Sequence, residues 1–532
     1  MEVLVALFVI TIISTSGATI LMRSADSREA MADVTRRVSD ISQTHALIRD
    51  DLAQWVPREF QGRNGLDPVS IFMGGTIAER GLLFAFVRDG WLNPNFEQPR
   101  SGLINVRYVV EEGKLLRKVE LTPDAVQGSE TLDQVLLEGV TSYRVEFRQG
   151  DFWVPQWQSG PGQPIGAPVA VRLELGLENG RSFEWLFITP AGGASVMSLL
   201  RRFCRPDARS DRGAALLIVL LLVATLSVLS LAIVQTVTHA YRLSGLSSSR
   251  SQALWLAVGV EDFAKVKLQQ ALQLTEGKLD RRTPGLDEPL IVPMEGGEIR
   301  AVISDASNCF NLNSLVQSEE ALSNPDVVDA GAFYLAMLEA LQIDPTQARE
   351  MLAATQDWID ADNAPRSFGA ETSFYASQEK PYAAGNTYLA SPQEVLAIRG
   401  YSPEVFRRIR PLICTLPNDQ VGQFNINMLT PDQAPLLAPV FAGVVSIESI
   451  YGQLEAQQGR SFADTEEFFA QPMFAVVDPE QRLDSLLSVE AHLFRLRGEV
   501  VYLDTVSSYE AIFERGQSGA IRLLRRRLGV DE

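Results

Sequence analysis

The sequence predicts an α+β fold laid out twice on one plan. Each copy is a long N-terminal membrane and amphipathic helix packed on an antiparallel sheet, and the second copy carries a helical insert. Three observations predict it. Two uncharged apolar runs, Val3–Met22 and Ala214–Thr238, each continue into a helical pattern. Two-residue alternation follows each helix, and a stretch of helical periodicity interrupts the second β region. About 20 helical residues rise about 30 Å, the thickness of a bilayer core, so residues 1–22 and 214–238 read as membrane helices.

In residues 23–57, Met31, Val34, Val38, Ile41, His45, Ile48, Leu52 and Trp55 recur at steps of three and four, and Pro57 ends the amphipathic helix. Residues 58–196 read as β-rich. Strands are expected at Leu82–Val87, Asn105–Glu111, Lys114–Leu121, Thr141–Phe147, Val169–Leu177 and Ser182–Ile188. Trp153 and Trp157 there are either a partner surface or ordinary packing. Residues 197–213 are a basic leader. In residues 239–276, Leu246, Ala253, Leu254, Ala257, Val260, Phe263, Ala264 and Leu268 share a helix face, which Gly277 closes. Residues 277–316 and 417–532 form the second core. Its strands, Leu290–Val292, Glu298–Ser304, Val489–Phe494 and Glu499–Glu510, are expected in one sheet, with helices near Pro431–Pro439, Ile447–Gln458 and Thr465–Gln471. The insert, residues 317–416, has helices at Ala330–Leu341, Pro345–Ile359, Pro392–Ile398 and Pro403–Leu412.

Composition narrows the function. The 532 residues carry a net charge of −19, which argues against general nucleic-acid binding. The histidines, His45, His239 and His492, lie too far apart for a histidine-based metal site or a hydrolytic triad, and no glycine-rich phosphate loop is present. No enzyme is expected, although an acidic chain always leaves a glycosidase-type carboxylate pair open.

The flanking charge poses a topology problem. Arg201, Arg202, Arg205, Arg209 and Arg212 precede the second apolar run and belong on the cytoplasmic side. The domain before them follows the first anchor, and no spanning stretch lies between residues 23 and 213. The expectation is two original polypeptides read as one, with Met197 as a second start. The alternatives are a genuine fusion processed after Gly213, or a cytoplasmic location for residues 1–196.

Several segments resemble known families. MEVLVAL at Met1–Leu7 resembles the end of the type IV pilin-like signature, and RDDLAQWVPR at Arg49–Arg58 resembles the helix end of minor pseudopilin J of type II secretion systems. Residues 197–532 are similar to minor pseudopilin K through RGAALLIVLLL at Arg212–Leu222, CFNLNSL at Cys309–Leu315 and DWIDADNAPR at Asp357–Arg366. GAETSFY at Gly369–Tyr375, PYAAGNTYLASPQEVLAIRGYS at Pro381–Ser402 and FNINML at Phe424–Leu429 continue that match.

The resemblance implies two pseudopilin units, the second with a sterile-alpha-motif-like insert. It implies a bacterial inner-membrane location, single-pass per unit, with periplasmic globular domains. The expected role is the tip complex that initiates the periplasmic pseudopilus for export of folded proteins across the outer membrane. Implied partners are other minor and major pseudopilins, a prepilin peptidase and the inner-membrane assembly platform. The peptidase would cut between Gly213 and Ala214, and Ala214 would be N-methylated. Residues 1–2 lack the leader, so the start is read as truncated and Glu2 as the family's register glutamate. Ile218 stands where the second unit's glutamate would be. A carboxylate in lipid needs a partner, so a subunit with Ile218 needs no neighbour above it; Ile218 is equally read as simply lipid-facing.

Asp357, Asp360, Asp362, Glu371 and Asn386 form the densest oxygen-ligand cluster. Such residues serve either as caps and turns or as hard-cation ligands, and the resemblance implies calcium. Cys309 and Cys414 flank the insert, as a disulfide or as two buried thiols. Ser391–Ile413 reads as helix, glycine hairpin, helix, with Arg407, Arg408 and Arg410 near the turn. That unit supports a rival function, a membrane-anchored DNA receptor; a type IV pilus minor pilin is the other alternative.

Overall fold

The computed structural model describes residues 37–61, 69–75, 81–159, 166–178, 180–189, 252, 256–257, 259–317, 324, 327–456, 460–474, 477–503, 505–516 and 519–528. Both apolar runs, the basic leader, Glu2, Gly213, Ala214 and Ile218 lie outside the described residues. Among the described residues, no helix is long and apolar enough to cross a membrane.

Residues 37–53 are helical. Ile48 and Leu52 are fully buried against a core containing Phe84, Tyr108 and Leu173. Each such side chain contributes about 1.5–3 kcal/mol of burial. His45 lies 5.0 Å from Phe187 and 5.4 Å from Trp185 between ring centroids, and burial lowers its pKa. Val38, expected on the seam, is exposed. The helix stops before Pro57 because its next residues join the sheet edge: Trp55 bridges Arg88, and Val56 N donates to Val87 O at 3.0 Å.

The first unit has two sheets where one was expected. One runs in the order Thr131–Glu138, Lys114–Glu120, Ile104–Glu111, Leu82–Arg88, Phe72–Gly74, Trp157–Gln158. The other runs Ser182–Ile188, Ala170–Leu177, Val140–Gln149, Phe152–Val154. Gly139 makes the switch. It sits at φ +73 between Glu138 and Val140, a left-handed backbone that favours glycine, and turns the chain out of one sheet into the other. Trp157 is buried against Phe147, while Trp153 lies under the Arg172 guanidinium at 4.0 Å.

The second unit's first and last strand groups share a sheet, in the antiparallel order Pro289–Met294, Gly297–Asp305, Leu493–Tyr502, Thr505–Arg515, Ile521–Leu528. The late strands begin further along than alternation suggested, and Ile521–Leu528 was not expected at all. Residues 259–274 form a helix across this sheet. Ala257, Val260, Ala264 and Leu268 are buried, but Phe263 is 41% exposed. Glu261 is buried as well, where Arg526 holds both its oxygens at 2.5 and 2.6 Å. Gly277, at φ +87, closes the helix by donating its N–H to Leu272 O at 2.8 Å.

The insert helices Ala330–Ala340 and Pro345–Ile359 start on Asp329 and Asp344, whose side chains accept first-turn amides. Pro392–Ala397 is a 3-10 turn held by a Ser391/Glu394 capping box rather than an α-helix. Pro403–Ile409 is α-helical and tightens to 3-10 at Arg410–Leu412. The insert does not have a core of its own. Phe310, Tyr334, Met351 and Phe406 pack in one cluster with Leu437, Phe441, Ile450 and Phe468 of the helices that follow.

Candidate functional site

Two constructions stand out: an ionic seam between the two units, and a carboxylate cluster on the insert. The seam centres on Arg58, one residue past Pro57. Its side chain is 0% exposed and pairs with Asp124 of the first unit at 2.7 Å and with Glu394 of the second at 2.9 Å. Glu394 is held in turn by the Ala390 and Ser391 amides at 2.6 and 3.0 Å. Gly385 makes room, because a Cβ there would lie 2.5 Å from an Arg58 nitrogen and 2.8 Å from Trp358 Nε1. One guanidinium faces two carboxylates. Burial, with the repulsion of Glu394 and Glu120 and against the pull of Arg58, pushes Asp124 up to about 7.

Further contacts extend the seam. Ala383 N donates to Asp124 O at 2.9 Å, and Ser129 Oγ to Pro381 O at 2.7 Å. Phe96 meets Phe406 edge-on at 4.9 Å, Arg407 donates to Asn95 O at 3.1 Å, and Arg527 pairs with Asp89. Within the first unit, buried Asp51 anchors the helix end to the sheet through Arg117 at 2.6 Å, and through Arg88 and Tyr108. The sequence had marked Arg58 only as part of a helix-end motif, and it missed Asp124 and Glu394.

On the insert, Asp357, Asp360 and Glu371 each offer a carboxylate oxygen within 4.8 Å of the others. Asp357 sits in the last turn of its helix, Asp360 is the C-cap, and Glu371 precedes a short turn of helix. Arg366 bonds Asp357 Oδ1 at 2.8 Å and pairs with Asp360. Gly369 lies so close that a Cβ would fall 1.9 Å from Asp357 Oδ2. Among the described residues, four acceptors here are buried without a hydrogen-bond donor: Asp360 Oδ1, both Glu371 carboxylate oxygens and Asn386 Oδ1. Burial and the charges of Asp357, Asp360 and Asp362 push Glu371 up to about 7. Unpaired buried acceptors are costly, and a hard cation satisfies several at once. Asp362 stands apart: it is exposed and accepts from Ala364 N at 2.7 Å, while its carbonyl accepts from Asn386 Nδ2 at 2.8 Å.

Cys309 and Cys414 are joined in a disulfide beside the parallel pair Phe310–Asn311 and Ile413–Cys414. The glycine hairpin turns at Gly400, φ +92, but it packs on the helix Pro345–Ile359, where a Cβ on Gly400 would lie 3.1 Å from Met351 N. Arg399 is paired with Glu350, Arg407 with the first unit and Arg408 with Leu341 O. These arginines hold protein contacts, which disfavours the DNA-receptor alternative.

Two sheet-and-helix units locked by a buried ionic seam define a two-headed α+β protein. The comparisons say which. The family model for type II secretion system protein J matches residues 19–189, and that for protein K matches residues 308–418. Protein K of Pectobacterium carotovorum is 33% identical over 258 residues, covering 48% of this chain and 78% of that protein. Protein J of Escherichia coli is 30% identical over 176 residues, covering 33% of this chain and 86% of that protein. A crystal structure of the GspK–GspI–GspJ complex from enterotoxigenic Escherichia coli is similar at 25% identity and a TM-score of 0.48, covering 54% of this chain and 99% of that one. The chain belongs to the minor pseudopilins of the type II secretion system, with a protein J segment and a protein K segment in one polypeptide.

Proposed function

We propose that the chain forms the tip of a periplasmic pseudopilus, starting its assembly for export of folded proteins across the outer membrane. The observation that carries this is the Arg58–Asp124–Glu394 triad, which makes the J and K segments one composite head. Further minor and major pseudopilins meet that head as a unit, and the sterile-alpha-motif-like insert of the K segment serves protein contacts. The apolar runs anchor the chain in the inner membrane with its heads in the periplasm. The assembly platform engages those anchors, and a prepilin peptidase cuts at Gly213–Ala214, leaving Ala214 to be N-methylated. Glu2 sets register, and Ile218 leaves no register partner to satisfy above it. The Cys309–Cys414 disulfide supports an oxidising compartment.

The carboxylate cluster fits calcium. Asp357, Asp360, Glu371 and Asn386 would hold it, and the ion would supply the positive charge those acceptors lack. Asp362, also expected as a ligand, contributes its carbonyl only by bracing Asn386.

The test is co-purification of the full chain, solubilised from membranes, with other minor pseudopilins, before and after Arg58→Glu. Co-purification that weakens with the substitution supports the reading. Absence of pseudopilins from the preparation, or salt-sensitive retention of DNA by the full chain, overturns it.

A further inference from the structure

Beside the Arg58 triad, the seam lines a partly open cavity of about 210 Å³. Val56, Pro57, Glu59 and Ile71 of the first unit form one wall, and the disulfide, Ile413, Leu493 and Ile512 form much of the rest. Three arginines, Arg410, Arg495 and Arg525, enter this mainly apolar lining together with two carboxylates, Glu59 and Glu510, and the hydroxyl residues Thr387, Tyr388 and Thr415. Glu510 is already shared. It lies 3.6 Å from Arg495, 3.3 Å from Arg497 and 3.8 Å from Arg525, while Arg527 is taken by Asp89.

Arg410 is the odd one out. Among the described residues it has no ion-pair or hydrogen-bond partner, and its Nε is buried. Arg495 Nε is likewise buried and makes no hydrogen bond, its Glu510 contact at 3.6 Å being an ion pair. Burial and the neighbouring arginines, against the pull of Glu510 on both and of Asp89 on Arg525, push Arg410 and Arg525 down to about 10. A largely buried guanidinium that must share Glu510 with three other arginines and bonds no anion is costly, and its planar fork matches a carboxylate in two-point contact. The apolar walls match a hydrocarbon or aromatic body better than water.

We propose that this cavity binds a small organic carboxylate, its charge on Arg410 with Arg495 and Arg525 close by and its apolar body against the Val56, Ile71, Ile413 and Ile512 walls. Both units line the cavity, so an occupant adds its binding free energy to the J–K seam. The site is separate from the carboxylate cluster and plays no part in the tip reading.

The experiment is calorimetric titration and thermal melting of the full chain in detergent with benzoate, neutral benzamide and inorganic phosphate. Benzoate is expected to bind and raise the melting temperature, with benzamide and phosphate at least tenfold weaker. Arg410→Met should weaken benzoate at least tenfold and, without ligand, leave the melting temperature unchanged or higher. Benzamide binding as tightly as benzoate, phosphate binding as tightly, or no binding by any probe overturns the proposal. Unchanged benzoate affinity in Arg410→Met does so too. Should that variant fail to fold, the three probes on the unaltered chain still decide.

Discussion

Replacing Arg58 by methionine tests the seam most directly. Arg58 is fully buried, and the side chains of Asp124 and Glu394 are 8% and 2% exposed, so solvent screens the triad very little. Methionine keeps most of the apolar stem and removes both charge-assisted bonds. Two buried carboxylates then face each other with no cation. Removing one partner of a buried pair typically costs about 3–5 kcal/mol, a shift of roughly 10²- to 10³-fold or more in the folding equilibrium. Urea unfolding of the full chain in detergent, followed by tryptophan fluorescence, reads this. The units should also begin to unfold in separate transitions, because the seam couples them. The triple variant Arg58→Met, Asp124→Asn, Glu394→Gln has no buried charge left, so it should be more stable than Arg58→Met alone. A loss below about 1 kcal/mol in the single variant, or a triple variant less stable than the single, would refute the argument that the ion triad holds the units together.

Three other outcomes are expected. Asp124 has a folded pKa of about 7, above its ordinary value of 3.8, so the folded chain binds more protons between those values. Its contribution to stability therefore falls as pH rises from about 4 to about 7, and a pH series of urea midpoints should show that slope flattened in Asp124→Asn. Millimolar calcium should raise the melting temperature of the full chain by calorimetry, and Glu371→Gln or Asp357→Asn should abolish the rise; an equal rise in the variants removes the site. Replacing Cys309 and Cys414 by alanine opens a loop spanning 105 residues and should cost about 2–5 kcal/mol in urea unfolding, with no change on adding reductant.

The parts of the fold legible in the sequence are those whose signals are local. Asp344 followed by Pro345 announces a helix start, and the Pro345–Ile359 bounds agree with the expectation. Alternation located Ser182–Ile188 and the strands either side of Glu112-Gly113. The misses share a different physics. Ile521–Leu528 reads as a run of arginines, and only its partners make it a strand: Glu261, Glu510 and Asp89 lie hundreds of residues away or on other elements. Thr131–Glu138 is a largely exposed edge strand with little apolar pattern to detect. Phe263 was placed inside by helical spacing, whereas Glu261 is buried because Arg526 neutralises it. Asp124 sits in a loop that looks like a turn, and its burial is supplied by Arg58 and Ala383, which lie 66 residues before it and far beyond it in sequence. The acidic cluster could be seen in composition; which of its oxygens lack donors could not.

The disulfide has a consequence for how such a chain can change over generations. It ties Cys309, a few residues before the insert, to Cys414 near the insert's C-terminal end, with Cα atoms 5.7 Å apart. The staple fixes where the insert enters and leaves the scaffold, while its helices share one core with Leu437, Phe441, Ile450 and Phe468 beyond it. Loops that project from the insert can therefore change length, whereas the faces of its helices that meet that shared core and the Arg58 seam cannot.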